Sequence, residues 1–167
     1  MDSKCITVTF SDHINADSIH LFIDKLEKLN EEKPEADKLI IQISSLGGDV
    51  DMAIELYNFI MTLDCHVKMV NTSYVNSAAI IVFLAGDERV CLPGTSFYVH
   101  AITKHLNGSY SAGALIKEVR EMNANTDKVS SLFEMRTKKS KSYWKRLMRK
   151  GQMITKEKAF ELGLTTK

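Results

Sequence analysis

This sequence predicts an α/β fold built from parallel βαβ units, and three observations lead there. Short apolar segments of strand character alternate with longer segments of helical periodicity from one end to the other. No linker, repeat or low-complexity block interrupts them. The 167 residues are 44% hydrophobic and 26% charged, with only two prolines and eight glycines, a balance that suits a globular core and excludes a disordered or fibrous chain. Residues 1–167 are accordingly read as a single domain.

The elements follow in order. Cys5–Phe10 alternates apolar and polar residues as a short strand does. Asn15 or Asp17 can cap a helix reaching about Leu29, with Ile19, Phe22, Ile23 and Leu26 on one face. Leu39–Ile43 reads as a buried strand, Ser44-Ser45-Leu46-Gly47-Gly48 as a turn, and Val50–Leu63 as a helix. His66–Val70 is a further strand, and Asn76–Ala85 a buried helix rich in small residues. Short strands at Arg89–Leu92 and Phe97–Val99 flank Pro93-Gly94. Ser111–Thr137 is a long helix whose apolar positions Leu115, Val119, Met122, Val129 and Phe133 keep heptad-like spacing. Tyr143–Arg149 is helical, and a last helix runs from its cap Thr155 to Leu162, stopped by Gly163.

Several function classes recede on composition alone. Lys+Arg is 22 against 21 for Asp+Glu, so no net field favours nucleic acid or a membrane surface. Cys5, Cys65 and Cys91 are odd in number and widely spaced, with no CxxC pair to hold a metal, which fits a reducing compartment. Met-Asp-Ser-Lys-Cys carries no apolar signal core, and the longest apolar run, Ala78–Ala85, is too short to span a bilayer. The expectation is a cytoplasmic protein needing no metal or organic cofactor.

Three places could carry chemistry. Gly47-Gly48 lies between a strand and a helix, where free backbone amides can hold an oxyanion; taken alone it is a tight turn. Ser77 opens an apolar helix, where it is either an N-cap or a hydroxyl aimed into a site beside a following free amide. His100 ends the strand Phe97-Tyr98-Val99, at the C-terminal edge where α/β sites collect, or is a satisfied structural histidine. His13, His20, His66 and His105 have no partners at ligand spacing and read as surface or core residues.

Together these segments resemble a known family. Ser44-Ser45-Leu46-Gly47-Gly48-Asp49-Val50 is similar to a Ser-Pro-Gly-Gly loop, with Leu46 in place of proline. Ser77, its small neighbours and Phe83-Leu84-Ala85-Gly86 resemble a nucleophile helix; Cys91-Leu92-Pro93 with Tyr98-Val99-His100 resembles a histidine strand. Lys158-Ala159-Phe160-Glu161-Leu162-Gly163-Leu164 resembles a closing Glu-Ala-x-x-x-Gly-Leu segment. The family is the proteolytic subunit of the ATP-dependent Clp protease, and the likeness runs from about Ile6 to Leu164. It implies a crotonase-like β/α spiral with a protruding helical handle at 111–137. It implies a serine protease, a hydrolase with Ser77 as nucleophile and His100 as base, and the amides of Gly48 and Ala78 as the oxyanion hole. It also implies polypeptide substrates, a homo-oligomer of rings that can stack through the handle, and an ATP-dependent peptidase complex with an unfoldase ATPase.

The sequence departs from the family in three respects. Counting back from Met153-Ile154-Thr155 sets Gly151 where the family has its catalytic aspartate, and a glycine can neither hold an imidazole tautomer nor balance an imidazolium. This favours a Ser77–His100 dyad or, as the alternative, a catalytically silent scaffold subunit of the same fold. An acyl-CoA enzyme of the crotonase type shares the fold but has no use for the serine–histidine pair. Residues 136–150 hold Arg136, Lys138, Lys139, Lys141, Lys145, Arg146, Arg149 and Lys150 and no acid, read as a solvated helix face before an acidic or nucleic-acid partner. The family's longer leader, which forms an axial loop, has no counterpart before Cys5, which counts against docking to an ATPase.

Overall fold

The computed structural model describes residues 4–167, and its elements grow directly from the local signals. Strand β1 (Cys5–Phe10) leads to helix α1 (Ala16–Glu32), whose N-cap is Asn15: its side chain accepts from the Ser18 amide while Ser18 Oγ accepts from the Asn15 amide. Ile19, Phe22 and Leu26 are the buried stripe of α1. Strand β2 (Lys38–Ser45) buries alternate residues and runs through Ser44-Ser45, two residues beyond the predicted end at Ile43. Helix α2 (Val50–Met61) starts at Asp49, whose carboxylate accepts from the Asp51 and Met52 amides.

Strands β1, β2 and β3 (His66–Asn76) pair in parallel, as alternating strands and helices require. At eleven residues β3 is far longer than the predicted His66–Val70, because it serves two partners in succession. Lys68–Asn71 pairs with β4 (Glu88–Cys91), and Tyr74–Asn76 pairs with β5 (Ser96–Val99). Fully buried Asn71 manages the handover: its side chain donates to the Ser96 carbonyl and accepts from the Ser73 amide. The strand alternates only as far as Met69, and Met69, Val70 and Asn71 are buried in succession where the partners change.

The predicted helix Asn76–Ala85 is corrected. Asn76 ends β3, and the helix α3 spans only Ala79–Phe83. Ser77 is not its cap; Ala78 occupies that position without a side-chain hydrogen bond, and Ser77 stands in the connecting turn. Strand β6 (Gln152–Thr155) had no strand signal of its own and exists because it pairs antiparallel with β5. Helix α6 (Lys156–Leu162) is capped by Thr155 and ended at Gly163, as predicted.

The long helix α4 (Ala112–Arg136), capped by Ser111, is divided along its length. Val129 and Phe133 are buried, with Phe133 packed edge-on against Trp144 of α5 (Lys141–Lys150) at 5.0 Å between ring centres. Leu115 and Val119 stand 43% and 56% exposed, so half of the heptad stripe belongs to this core and the other half has no cover within the chain. The basic run is largely structural. Arg136 donates to the Leu84 and Gly86 carbonyls, Lys145 pairs with Asp127, and Lys139 and Arg146 lie over the Tyr143 ring. Among the described residues no helix is long and apolar enough to cross a membrane.

Candidate active site

Parallel strands end together, and here β3 and β5 deliver Ser77 and His100 to the same edge of the sheet. Asn76 pairs with Tyr98, and the Ser77 amide donates to the Tyr98 carbonyl at 2.8 Å, so the turn after β3 is tied two residues short of His100. Ser77 has φ of +54°, the only positive φ of a non-glycine residue among those described. A residue with a Cβ pays about 1–2 kcal/mol for that conformation. Strain of this kind on a strand–turn–helix corner thrusts a serine hydroxyl out of the chain.

The glycine pair explains how the β2–α2 loop reaches this corner. A Cβ on Gly47 would lie 2.6 Å from the Asn76 carbonyl oxygen and 2.8 Å from Ser77 Cβ, so only glycine permits the approach. Gly48, at φ +146°, is pressed against Ile14, whose carbonyl oxygen a Cβ would meet at 2.1 Å. Ile14 donates to the Gly47 carbonyl at 2.8 Å and accepts from the Asp49 amide at 2.9 Å, fixing the loop from its other side. The Gly48 and Ala78 amides donate to no other group among the described residues. Both residues line one cleft with Ser77 and His100, enclosing about 520 Å³ open to solvent, with Val129, Phe133 and Met148 as an apolar floor.

Within that cleft Ser77 Oγ and His100 are not hydrogen-bonded to each other. His100 Nδ1 instead lies 2.7 Å from the carbonyl oxygen of Ala101. A carbonyl only accepts, so Nδ1 carries a proton, and the neutral ring in this tautomer has its lone pair on Nε2. The Tyr98 ring is stacked on the imidazole, 5.2 Å between centres and 22° from parallel. The register Val99–Gln152, carried one step on, sets Gly151 across from His100. Gly151 has φ of +63°, and a Cβ there would lie 3.1 Å from Tyr98 Oη. Tyr98 entered the sequence analysis only as part of the histidine strand, with no role of its own, and Ala101 did not enter it. Tyr98 could have been noticed, since it sits two residues before His100 and so on the same strand face; a backbone carbonyl leaves no trace in sequence.

His13, His20, His66 and His105 are all exposed and stand outside this cleft, with His20 near Glu55 at 3.3 Å and His66 near Asp87 at 3.7 Å.

Comparison with known proteins converges on this architecture. The Clp protease family profile matches residues 3–167. ATP-dependent Clp protease proteolytic subunit 2 of Borreliella burgdorferi is 31% identical over 102 residues, 58% of this chain and 50% of that protein. Proteolytic subunit 3 of Rhizobium etli is 27% identical over 92 residues, 53% and 47% of the two chains. The matched region is thus about half the length of these curated relatives. An Asn-to-Asp mutant of ClpP1 from Listeria monocytogenes superposes with a TM-score of 0.81 over 98% of this chain and 90% of its own, at 23% identity, a likeness of fold. With the profile spanning all but the first two residues, this chain belongs to the Clp protease family.

Proposed function

We propose that this chain is a serine-type endopeptidase subunit that cleaves peptide bonds within an oligomeric chamber. The observation that carries the reading is the strained Ser77, held in one cleft with His100 and two uncommitted amides. Ser77 Oγ attacks the scissile carbonyl carbon while its proton passes to His100 Nε2. The carbonyl π pair moves onto oxygen, where the Gly48 and Ala78 amides meet the developing charge, an effect worth about 10²–10³-fold per donor. The tetrahedral centre collapses, His100 returns the proton to the departing amine, and an ester to Ser77 remains. Water repeats the sequence: its oxygen adds to the ester carbon as His100 takes its proton, the tetrahedral centre expels Ser77 Oγ, His100 returns the proton to that oxygen, and the acid product leaves. Each proton and electron pair is supplied by the chain, the peptide or water.

A second reading, a silent scaffold subunit of the same fold, is favoured by Gly151, which offers no carboxylate to the imidazole. A fluorophosphonate probe separates the two. Labelling that maps to Ser77, and is lost in Ser77→Ala, supports the peptidase; a folded chain that stays unlabelled after long exposure supports the scaffold.

The uncovered half of the handle, Leu115, Ile116 and Val119, supports homo-oligomeric rings that stack through α4. Light scattering that gives one subunit's mass at micromolar concentration across salt conditions counts against it. The ATP dependence in the relatives' names supports an unfoldase partner that feeds polypeptide to the chamber, and the free cysteines a reducing, cytoplasmic setting.

A further inference from the structure

A histidine that serves as a base needs two things from its surroundings: one tautomer, and a counterweight to the positive charge it acquires. A buried carboxylate ordinarily supplies both, and Gly151 can supply neither. We infer that Tyr98 and the main-chain carbonyl of Ala101 divide this work, making Tyr98 a positioning residue for His100. The inference rests on the proposed role of His100.

The carbonyl fixes the tautomer. Ala101 O stands 2.7 Å from Nδ1 and can only accept, so the proton is held there and Nε2 is left as the base. The ring supplies the counterweight. Its centre lies 5.2 Å from the imidazole centre, within the range where an aromatic quadrupole attracts a cation. Stacked at 22°, it also limits rotation of the imidazole about its own bonds.

Tyr98 and Gly151 fit as a pair. In the antiparallel register Tyr98 faces Met153, and Gly151 is its diagonal neighbour on the same sheet face. The phenol reaches along that diagonal, so its hydroxyl lies 3.1 Å from where a side chain at 151 would begin. The tyrosine thus occupies the ground that an acid at 151 would need. Gly151→Asp alone is expected not to restore a triad: Tyr98 Oη must give way to the new Cβ, and φ of +63° strains any side chain.

The inference is tested on the full chain by nitrogen-15 NMR of labelled histidine, which reads the tautomer of His100 without reference to activity. Tyr98→Leu, which removes the ring, is expected to lose the single Nδ1–H tautomer and to lower ester turnover about three- to tenfold with little change in KM. Tyr98→Phe keeps the ring and is expected to recover both. Replacing Ile102 by its α-hydroxy acid turns the 101–102 amide into an ester, whose carbonyl accepts more weakly, and is expected to mix the tautomers. Circular dichroism confirms that each variant is folded. A tautomer unchanged in both Tyr98→Leu and the ester variant overturns the inference, as does higher turnover in Gly151→Asp with Tyr98 in place. Should the chain prove inert to the fluorophosphonate while the NMR pattern holds, the peptidase reading falls and the positioning stands.

Discussion

Gly48→Ala tests the loop on which the oxyanion assignment depends. The added methyl would lie 2.1 Å from the Ile14 carbonyl oxygen and 2.9 Å from its carbon, backbone atoms that cannot turn away as a side chain can. Either the loop or the Ile14 segment moves, and the two flanking hydrogen bonds, Ile14 to Gly47 and Asp49 to Ile14, go with it. Each is worth about 0.5–1.5 kcal/mol net, and a side chain at this φ costs about 1–3 kcal/mol more. A loss of about 4 kcal/mol lowers the melting temperature of a chain this size by about 8–16 °C. The Gly48 amide is displaced with the loop, so turnover should fall about 10²–10³-fold. The assays are a far-ultraviolet melt and hydrolysis of an activated ester. Gly94→Ala is the control: Gly94 shares a positive φ of +76° but has nothing within 4 Å of its Cβ position, so it pays the conformational cost alone and keeps its activity. A Gly48→Ala chain that melts within about 2 °C of the parent and turns over within about threefold would refute the close approach and the role built on it.

Three further outcomes are expected. Arg89 is buried, and burial together with neighbouring Arg136 pulls its guanidinium down to about 10; it donates to the carbonyls of Gly86, Arg136, Gly163 and Leu164. Arg89→Met takes this donor from the Arg136, Gly163 and Leu164 carbonyls, while Gly86 keeps its bond from Arg136, and should cost about 2–4 kcal/mol, read as a lower melting temperature and faster proteolysis near residue 163. Phe133→Ala removes a ring that is 2% exposed and should cost about 3–5 kcal/mol, whereas Val119→Ser should leave chain stability within about 0.5 kcal/mol and lower only the assembled mass. Burial pushes the Cys91 thiol up, and burial followed by Asp87 pushes up that of Cys65, so iodoacetamide near pH 8 should modify exposed Cys5 first and Cys91 only after unfolding, as mapped by mass spectrometry.

Sequence alone determined whatever is governed by neighbours along the chain. Thr155 was legible as a cap and Asn15 as one of two candidates, because a cap is a contact between residues two or three apart; Asp49 and Ser111 act by the same contact at the starts of their helices. The stripe of α1 was legible for the same reason, whereas the continuous apolar run Leu39-Ile40-Ile41 read as a wholly buried strand and only the structure shows that β2 buries alternate residues. The order of the glycine loop, Ser77, His100 and the closing helix carried the family. Tertiary structure decided what depends on residues far apart. Ser77 reads as a helix cap until β5 binds its amide and turns it to φ +54°, a conformation that the local sequence resists. Strand β6 exists only as the partner of β5, and β3 runs to Asn76 only because β5 takes over from β4. Half of the α4 stripe proved to be core and half surface, since α5 reaches Phe133 and stops short of Val119. The contacts around His100 were hidden most deeply: they join a backbone carbonyl, a ring on the same strand and a glycine across the sheet, and no spacing in a linear sequence encodes that meeting.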